Sequence, residues 1–127
     1  MRPKTLAEVA KLAAQGQPFD LCLANFLDEI KTSPNAADAL AEAPDLLAPA
    51  FGDQGRVQDA YLAATAEELS HQCGVSLPRW VDEDERKLRR PWFASPLAAL
   101  RAVLLLESPP GFRSRNLFVS ENALSRT

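Results

Sequence analysis

Few side chains in this sequence could perform acid–base or nucleophilic chemistry, and their spacing does not bring them together. His71 is the only histidine among the 127 residues, and Cys73 follows it two positions later in the same helical pattern. Residues two apart on a helix point to different faces, so these two cannot form a nucleophile–base pair by themselves. We expect His71 to be a hydrogen-bonded or half-exposed side chain near the end of a helix.

The acidic residues and glycines are equally uninformative about catalysis. Four consecutive acids, Asp82 to Glu85, would fan around the start of a helix in water, whereas catalytic carboxylates need environments that separate their pKa values. Neither of the glycine-rich phosphate-binding patterns, GxGxxG and GxxxxGK[ST], occurs, and there is no Cys-x-x-Cys pair for zinc. The sequence therefore predicts no catalytic residue, metal or cofactor, and a protein that is not an enzyme. Glu68 is expected near one apolar stripe of its helix, where it could pair with a buried arginine.

The charged residues are distributed unevenly along the chain. Residues 1–85 contain 6 Lys/Arg and 15 Asp/Glu, a net charge of -9, and residues 86–127 contain 8 and 2, a net charge of +6. The basic section also contains aromatic residues, and Arg and Trp are common anchors of protein interfaces. A solvated basic face and a nucleic-acid site are the alternatives. We predict a docking surface for an acidic protein partner, formed by Arg90, Trp92, Phe112, Arg113 and Arg115, since Arg113 and Arg115 follow a Pro-Pro-Gly segment expected at the surface.

A DNA-binding function is the second hypothesis. Residues 66–76 resemble the first helix and turn of a helix-turn-helix, with Gly74 at the turn. The following residues fit poorly, because Pro78 and Trp80 fall inside the second helix and the acids at 82–85 would face DNA phosphates. The alternative is thus a transcriptional regulator with a degenerate helix-turn-helix around 66–85.

Composition predicts a single all-α domain spanning 1–127, a bundle of five to seven helices. The chain has 21 Ala and 19 Leu but only 6 Val and 1 Ile, which favours helix over sheet. Thr5 and Glu8 form a capping box, and apolar residues from Phe19 to Ile30 recur at helical spacing. A long helix at 55–73 is apolar on two sides and a helix at 96–107 is almost wholly apolar, so both are expected at the centre of the bundle. Ser33-Pro34 and Ser95-Pro96 are expected to start helices.

The remaining sequence signals concern the cellular compartment. The N-terminus has no apolar segment of the secretory type, and the longest apolar stretch, 97–106, is about half of what a membrane span needs. Cys22 and Cys73 lie in helical patterns and are expected to be buried and reduced. These features predict a cytoplasmic protein.

Three stretches resemble a group of small, helical, uncharacterised bacterial proteins: Leu-Pro-Arg-Trp-Val at 77–81, Arg-Pro-Trp-Phe at 90–93, and Glu107 to Val119. The resemblance also covers the helix at 19–28. Such proteins are often encoded beside nucleotidyltransferase-like genes, in pairs that resemble toxin–antitoxin modules. The resemblance implies a non-enzymatic, antitoxin-like module that binds a protein partner, the product of an adjacent gene, and it implies no catalytic residue.

Overall fold

A computed structural model describes residues 2–32, 35–94 and 100–120, and seven helices account for most of these residues. This confirms the predicted all-α class. The only sheet within those ranges has two short strands. The helices are α1 (Leu6–Ala14), α2 (Phe19–Ile30), α3 (Ala36–Ala41), α4 (Ala48–Phe51), α5 (Asp53–Cys73), α6 (Arg101–Glu107) and α7 (Pro110–Arg113); the strands are β1 (Trp92–Phe93) and β2 (Leu117–Phe118). Two 3-10 turns, Arg79–Asp82 and Asp84–Arg86, connect α5 to β1.

The first two helices form where the sequence predicts them. The backbone N–H of Glu8 donates to the Thr5 hydroxyl at 3.1 Å, and the Glu8 carboxylate accepts from the backbone N–H of Lys4 at 3.2 Å. The two side chains thus accept hydrogen bonds from backbone N–H groups at the start of α1 that have no partner within the helix. In α2 the predicted apolar stripe is buried, at Cys22, Leu23, Phe26, Leu27 and Ile30.

Helix α5 separates two apolar cores, as its two-sided pattern predicts. Leu62, Ala63, Ala66 and Leu69 lie in the large core, which α5 shares with α1, α2, α3 and the first 3-10 turn. Ala60 and Ala64 lie in the small core with Phe112, Leu117 and Val119. The helix is therefore the central element against which both ends of the chain pack.

Helix α4 is fixed to α5 by two residues one turn apart. The Asp59 carboxylate accepts hydrogen bonds from the backbone N–H groups of Leu47 at 2.7 Å and Ala48 at 3.1 Å. A Cβ atom on Gly55 would overlap the carbonyl of Leu47 and lie 2.7 Å from the Cα of Ala48. Only glycine at position 55 lets the two backbones approach this closely.

The two strands pair in parallel and connect the two described parts of the C-terminal section, residues 86–94 and 100–120. Trp92 pairs with Leu117, and its backbone N–H donates to the carbonyl of Asn116 at 2.8 Å. Asn116 has a φ of 62°, a conformation that asparagine tolerates better than most residues, and its side-chain amide donates to the carbonyl of Leu88 at 2.6 Å.

The prediction of a buried central helix at 96–107 is wrong. Helix α6 begins at Arg101 and packs on β2. Its Leu104 is buried (7% exposed), whereas Leu106 is 83% exposed. The prediction failed because an almost wholly apolar stretch has no continuous polar face, so the sequence does not reveal which side of the helix will be covered. The predicted helix starts at Ser33-Pro34 and Ser95-Pro96 lie outside the described residues.

The second helix of the predicted helix-turn-helix does not form. Gly74 ends α5 in a left-handed conformation with a φ of 67°, as the motif requires. The chain then runs irregularly to Pro78 and enters the 3-10 turns, where the Trp80 indole is buried and its N–H donates to the carbonyl of Leu40 at 2.9 Å. Because this large side chain packs in the core, the residues around it form 3-10 turns against the rest of the protein. They do not form the exposed helix that would contact DNA bases.

The single histidine and the two cysteines differ in burial. Cys22 is buried and Cys73 is exposed, and both are free thiols. The expectation that both thiols are buried is therefore wrong for Cys73, which is the last residue of α5 and extends beyond the core. His71 is also exposed and lies near the end of the same helix.

We predict that Gly55→Ala destabilises the protein by about 1–3 kcal/mol, because the added methyl group must push α4 away from α5. The free energy of unfolding in urea measures this effect. Arg56→Ala, an exposed change in the same turn of α5, should stay within about 0.5 kcal/mol of the parent protein. Equal stability of the two variants would contradict close backbone packing at position 55.

Candidate protein-interaction surface

The five residues predicted to bind a partner do not share one surface. Phe112 is completely buried in the small core, where its ring packs edge-to-face on Tyr61 with centroids 4.9 Å apart. Arg115 is only 2% exposed. Trp92 is half-buried, and Arg90 and Arg113 are exposed. The prediction is therefore wrong for Phe112 and Arg115, which stabilise the fold and cannot contact a partner in this structure.

Arg115 is buried because its guanidinium finds several acceptors in the interior. It donates to the carbonyl oxygens of Gly111 at 2.6 Å and Val81 at 2.9 Å, and it pairs with the Glu67 carboxylate at 3.0 Å. Glu68, the acid expected to pair with a buried arginine, accepts the backbone N–H of Gly111 at 2.8 Å instead. The two adjacent glutamates of α5 thus hold the C-terminal section, and the pairing partner is one residue away from the predicted one.

Arg86 is a second basic residue that the fold removes from the surface. It is 1% exposed, donates to the carbonyl of Pro44 at 2.5 Å, and lies 4.7 Å from the centroid of the Trp80 ring system. Burial lowers the pKa of Arg86, while the nearby carboxylates, Glu83 first among them, oppose that shift. Arg86 and Arg115 therefore serve as interior hydrogen-bond donors and add little to the surface charge.

The basic residues that remain at the surface still outnumber the acids. In the described parts of the C-terminal section, 86–94 and 100–120, the sole acidic residue is Glu107, which is half-buried. The exposed cations in these ranges are Lys87, Arg89, Arg90, Arg101 and Arg113. The section thus keeps the positive surface that the sequence predicts: Arg90 and Arg113 belong to it, and Arg115 does not.

A group of exposed aliphatic side chains lies on α6 and on Leu100, the residue directly before it. Three of them recur at a spacing of three residues: Leu100 (42% exposed), Val103 (45%) and Leu106 (83%). The fourth is Leu105, which is 44% exposed. We call these four residues the α6 face. Exposed apolar side chains grouped on one element are typical of an interaction site, whereas scattered ones need no explanation.

Two arginines border the α6 face. The guanidinium carbon of Arg101 lies 5.2 Å from the centroid of the Phe93 ring. The Arg113 guanidinium donates to the carbonyl of Ser108, directly after the last residue of α6, at 3.0 Å. An apolar centre with cations at both ends of the helix resembles the core and rim of a protein interface. The sequence does not reveal this face, because its closely spaced leucines predict a position in the core.

Comparisons of the chain with protein-family models, with curated proteins and with solved structures find no significant match. Within the described ranges, no group of three or more His, Cys, Asp or Glu side chains could hold a metal ion. None of the described helices is long and apolar enough to cross a membrane.

We predict that Arg115→Ala costs about 3 kcal/mol, because it leaves the Glu67 carboxylate without its ion-pair partner and the Val81 carbonyl without the Arg115 donor. Arg113→Ala is the matched control, since Arg113 is exposed and makes one backbone hydrogen bond; its cost should stay below about 1 kcal/mol. Urea denaturation of both variants measures the difference. Similar stability of the two variants would show that the buried pair does not hold the C-terminal section.

Proposed function

We propose that this protein is a protein-interaction module that binds an acidic partner protein through the α6 face and its flanking residues Arg101 and Arg113. The observation that carries the proposal is the exposure of the aliphatic side chains of α6, above all Leu106. Covering them with a partner would remove apolar surface from water, the main favourable contribution to protein association. The proposal includes no catalytic step by this chain.

The chemistry of the α6 face favours a protein over a nucleic acid. Proteins that bind single strands stack bases on aromatic side chains, and duplex binders contact phosphates with dense arrays of cations. The exposed groups of α6 are aliphatic, and leucine side chains gain most from an apolar surface. Arg101 and Arg113 then select a partner whose apolar patch is bordered by carboxylates, which a guanidinium can bind in a bidentate manner.

The resemblance of residues 77–81, 90–93 and 107–119 to small bacterial proteins supports a more specific proposal. In that group the partner is often encoded by the adjacent gene, in a pair resembling a toxin–antitoxin module. We therefore propose the product of the adjacent gene as the acidic partner, an antitoxin-like role for this protein, and the cytoplasm as the place where the two proteins meet.

Charge substitutions on the α6 face test the proposal. Val103→Glu with Leu106→Glu should weaken binding to the product of the adjacent gene about tenfold or more, because central apolar contacts contribute most to interface energy. Titration calorimetry measures the affinity, and thermal unfolding shows whether the variant is folded. Leu21→Glu is the matched control: Leu21 is an exposed leucine (55%) on α2, and its substitution should leave affinity unchanged. Equal weakening by the control and the α6 variant, or by neither, would contradict the proposal.

Association with an acidic partner should also slow as salt rises, because the Debye length falls from about 10 Å at 0.1 M to about 3 Å at 1 M. Arg101→Glu with Arg113→Glu should reduce the association rate at low salt and abolish most of this salt dependence. Stopped-flow measurement of the association rate provides the test. A rate that is independent of salt in the parent protein would contradict an acidic partner.

A further inference from the structure

A cleft of about 420 Å³ lies between the start of α2, the first half of α5 and β1, and it takes no part in the proposed interaction. Three aromatic side chains, Phe19, Tyr61 and Trp92, contribute to its walls. Phe19 and Tyr61 meet edge-to-face, with ring centroids 6.3 Å apart. The size and the aromatic lining are those of a small-molecule pocket.

The charged residues that line the cleft are both acids, Asp20 and Asp53. Gln58 lines it as well, and the side-chain oxygen of Gln58 is buried without a hydrogen-bond partner. That oxygen has no exposed surface, so a ligand in the cleft would meet the two carboxylates and the aromatic side chains instead. The cleft therefore combines negative charge with aromatic surface.

The negative charge of the cleft disfavours ionisation of Tyr61, which lines it. Burial and then the charge of Asp20 raise the pKa of Tyr61 to about 12. The phenolate of Tyr61 is disfavoured because it would be a further anion, beside Asp20, in a partly desolvated space. A positive group bound there would have the opposite effect and would lower the pKa of Tyr61.

We propose that this cleft binds an organic cation, an ammonium or guanidinium group on a short apolar stem. The cation would lie against the aromatic side chains, which attract positive charge through their π-electron faces, and would pair with Asp20 and Asp53. The stem would cover the apolar wall that Val57 contributes. The cation is either a free small molecule or an arginine side chain of another protein.

Binding of n-butylguanidinium, with n-butylurea as its uncharged counterpart, tests the proposal. Titration calorimetry should detect butylguanidinium and not butylurea. Tyr61 is the only tyrosine in the chain, so ultraviolet titration of tyrosinate reports on the cleft directly. Butylguanidinium should lower the pKa of Tyr61 below its value in the free protein. Equal binding of the two compounds, or an unchanged Tyr61 pKa at saturating butylguanidinium, would overturn the proposal.

Substitutions locate the binding to the cleft. Asp20→Asn and Asp53→Asn should each weaken butylguanidinium binding about fivefold, and Trp92→Leu should have a similar effect through lost cation–π attraction. Both acids lie in the first turn of a helix, where their negative charges also interact favourably with the helix dipole and stabilise the helix. Asp38→Asn is the matched control, because Asp38 occupies the first turn of α3 away from the cleft and its loss should not change binding. Unchanged binding in both the Asp20 and Asp53 variants would overturn the proposal.

A second ligand distinguishes the two sources of the cation. An acetylated, amidated Gly-Arg-Gly peptide carries the same guanidinium on a protein-like backbone. Tighter binding of the peptide than of butylguanidinium would support an arginine of another protein, and the reverse order would support a free small molecule. Failure of both ligands to bind would overturn the cation site and would leave the α6 proposal unaffected, since the two surfaces share no residue.

Discussion

The interaction on which the C-terminal section depends is the buried pair between Arg115 and Glu67. The guanidinium bridges α5 to the carbonyl groups of Val81 and Gly111, so a single side chain joins the central helix, the first 3-10 turn and α7. A buried cation is stable only where acceptors surround it, and this requirement restricts how these three elements can be arranged. The small core then forms between α5 and the section that Arg115 holds, with Phe112 packed on Tyr61.

The same restriction determines which surface the C-terminal section presents. Because α7 and β2 cover the small-core side of α5, helix α6 packs on β2 and buries Leu104. Its other leucines face outward, between Arg101 and Arg113. The arginines thus have two separate roles: Arg86 and Arg115 organise the interior, and the exposed arginines border the face proposed to bind a partner.

The α6 face and the aromatic cleft have opposite chemistry. The first is aliphatic with cations at its border, and the second is aromatic with carboxylates in its lining. A partner suited to one would be repelled by the charge of the other, so the two surfaces can select different ligands. Trp92, which the sequence analysis assigned to partner binding, belongs to the cleft, and this position follows from its pairing with Leu117 in the sheet.

The sequence by itself determined the helical class, the capped start of α1, the stripe of α2 and the central position of α5, because these depend on propensity, capping and periodicity within one segment. Tertiary structure alone decided which arginines are buried, since the acceptors of Arg115 come from positions 67, 81 and 111. It also decided which side of α6 is covered and where the aromatic cleft lies. Charge and apolarity can be read along a chain, but exposure depends on residues that are distant in the sequence, and only the fold brings them together.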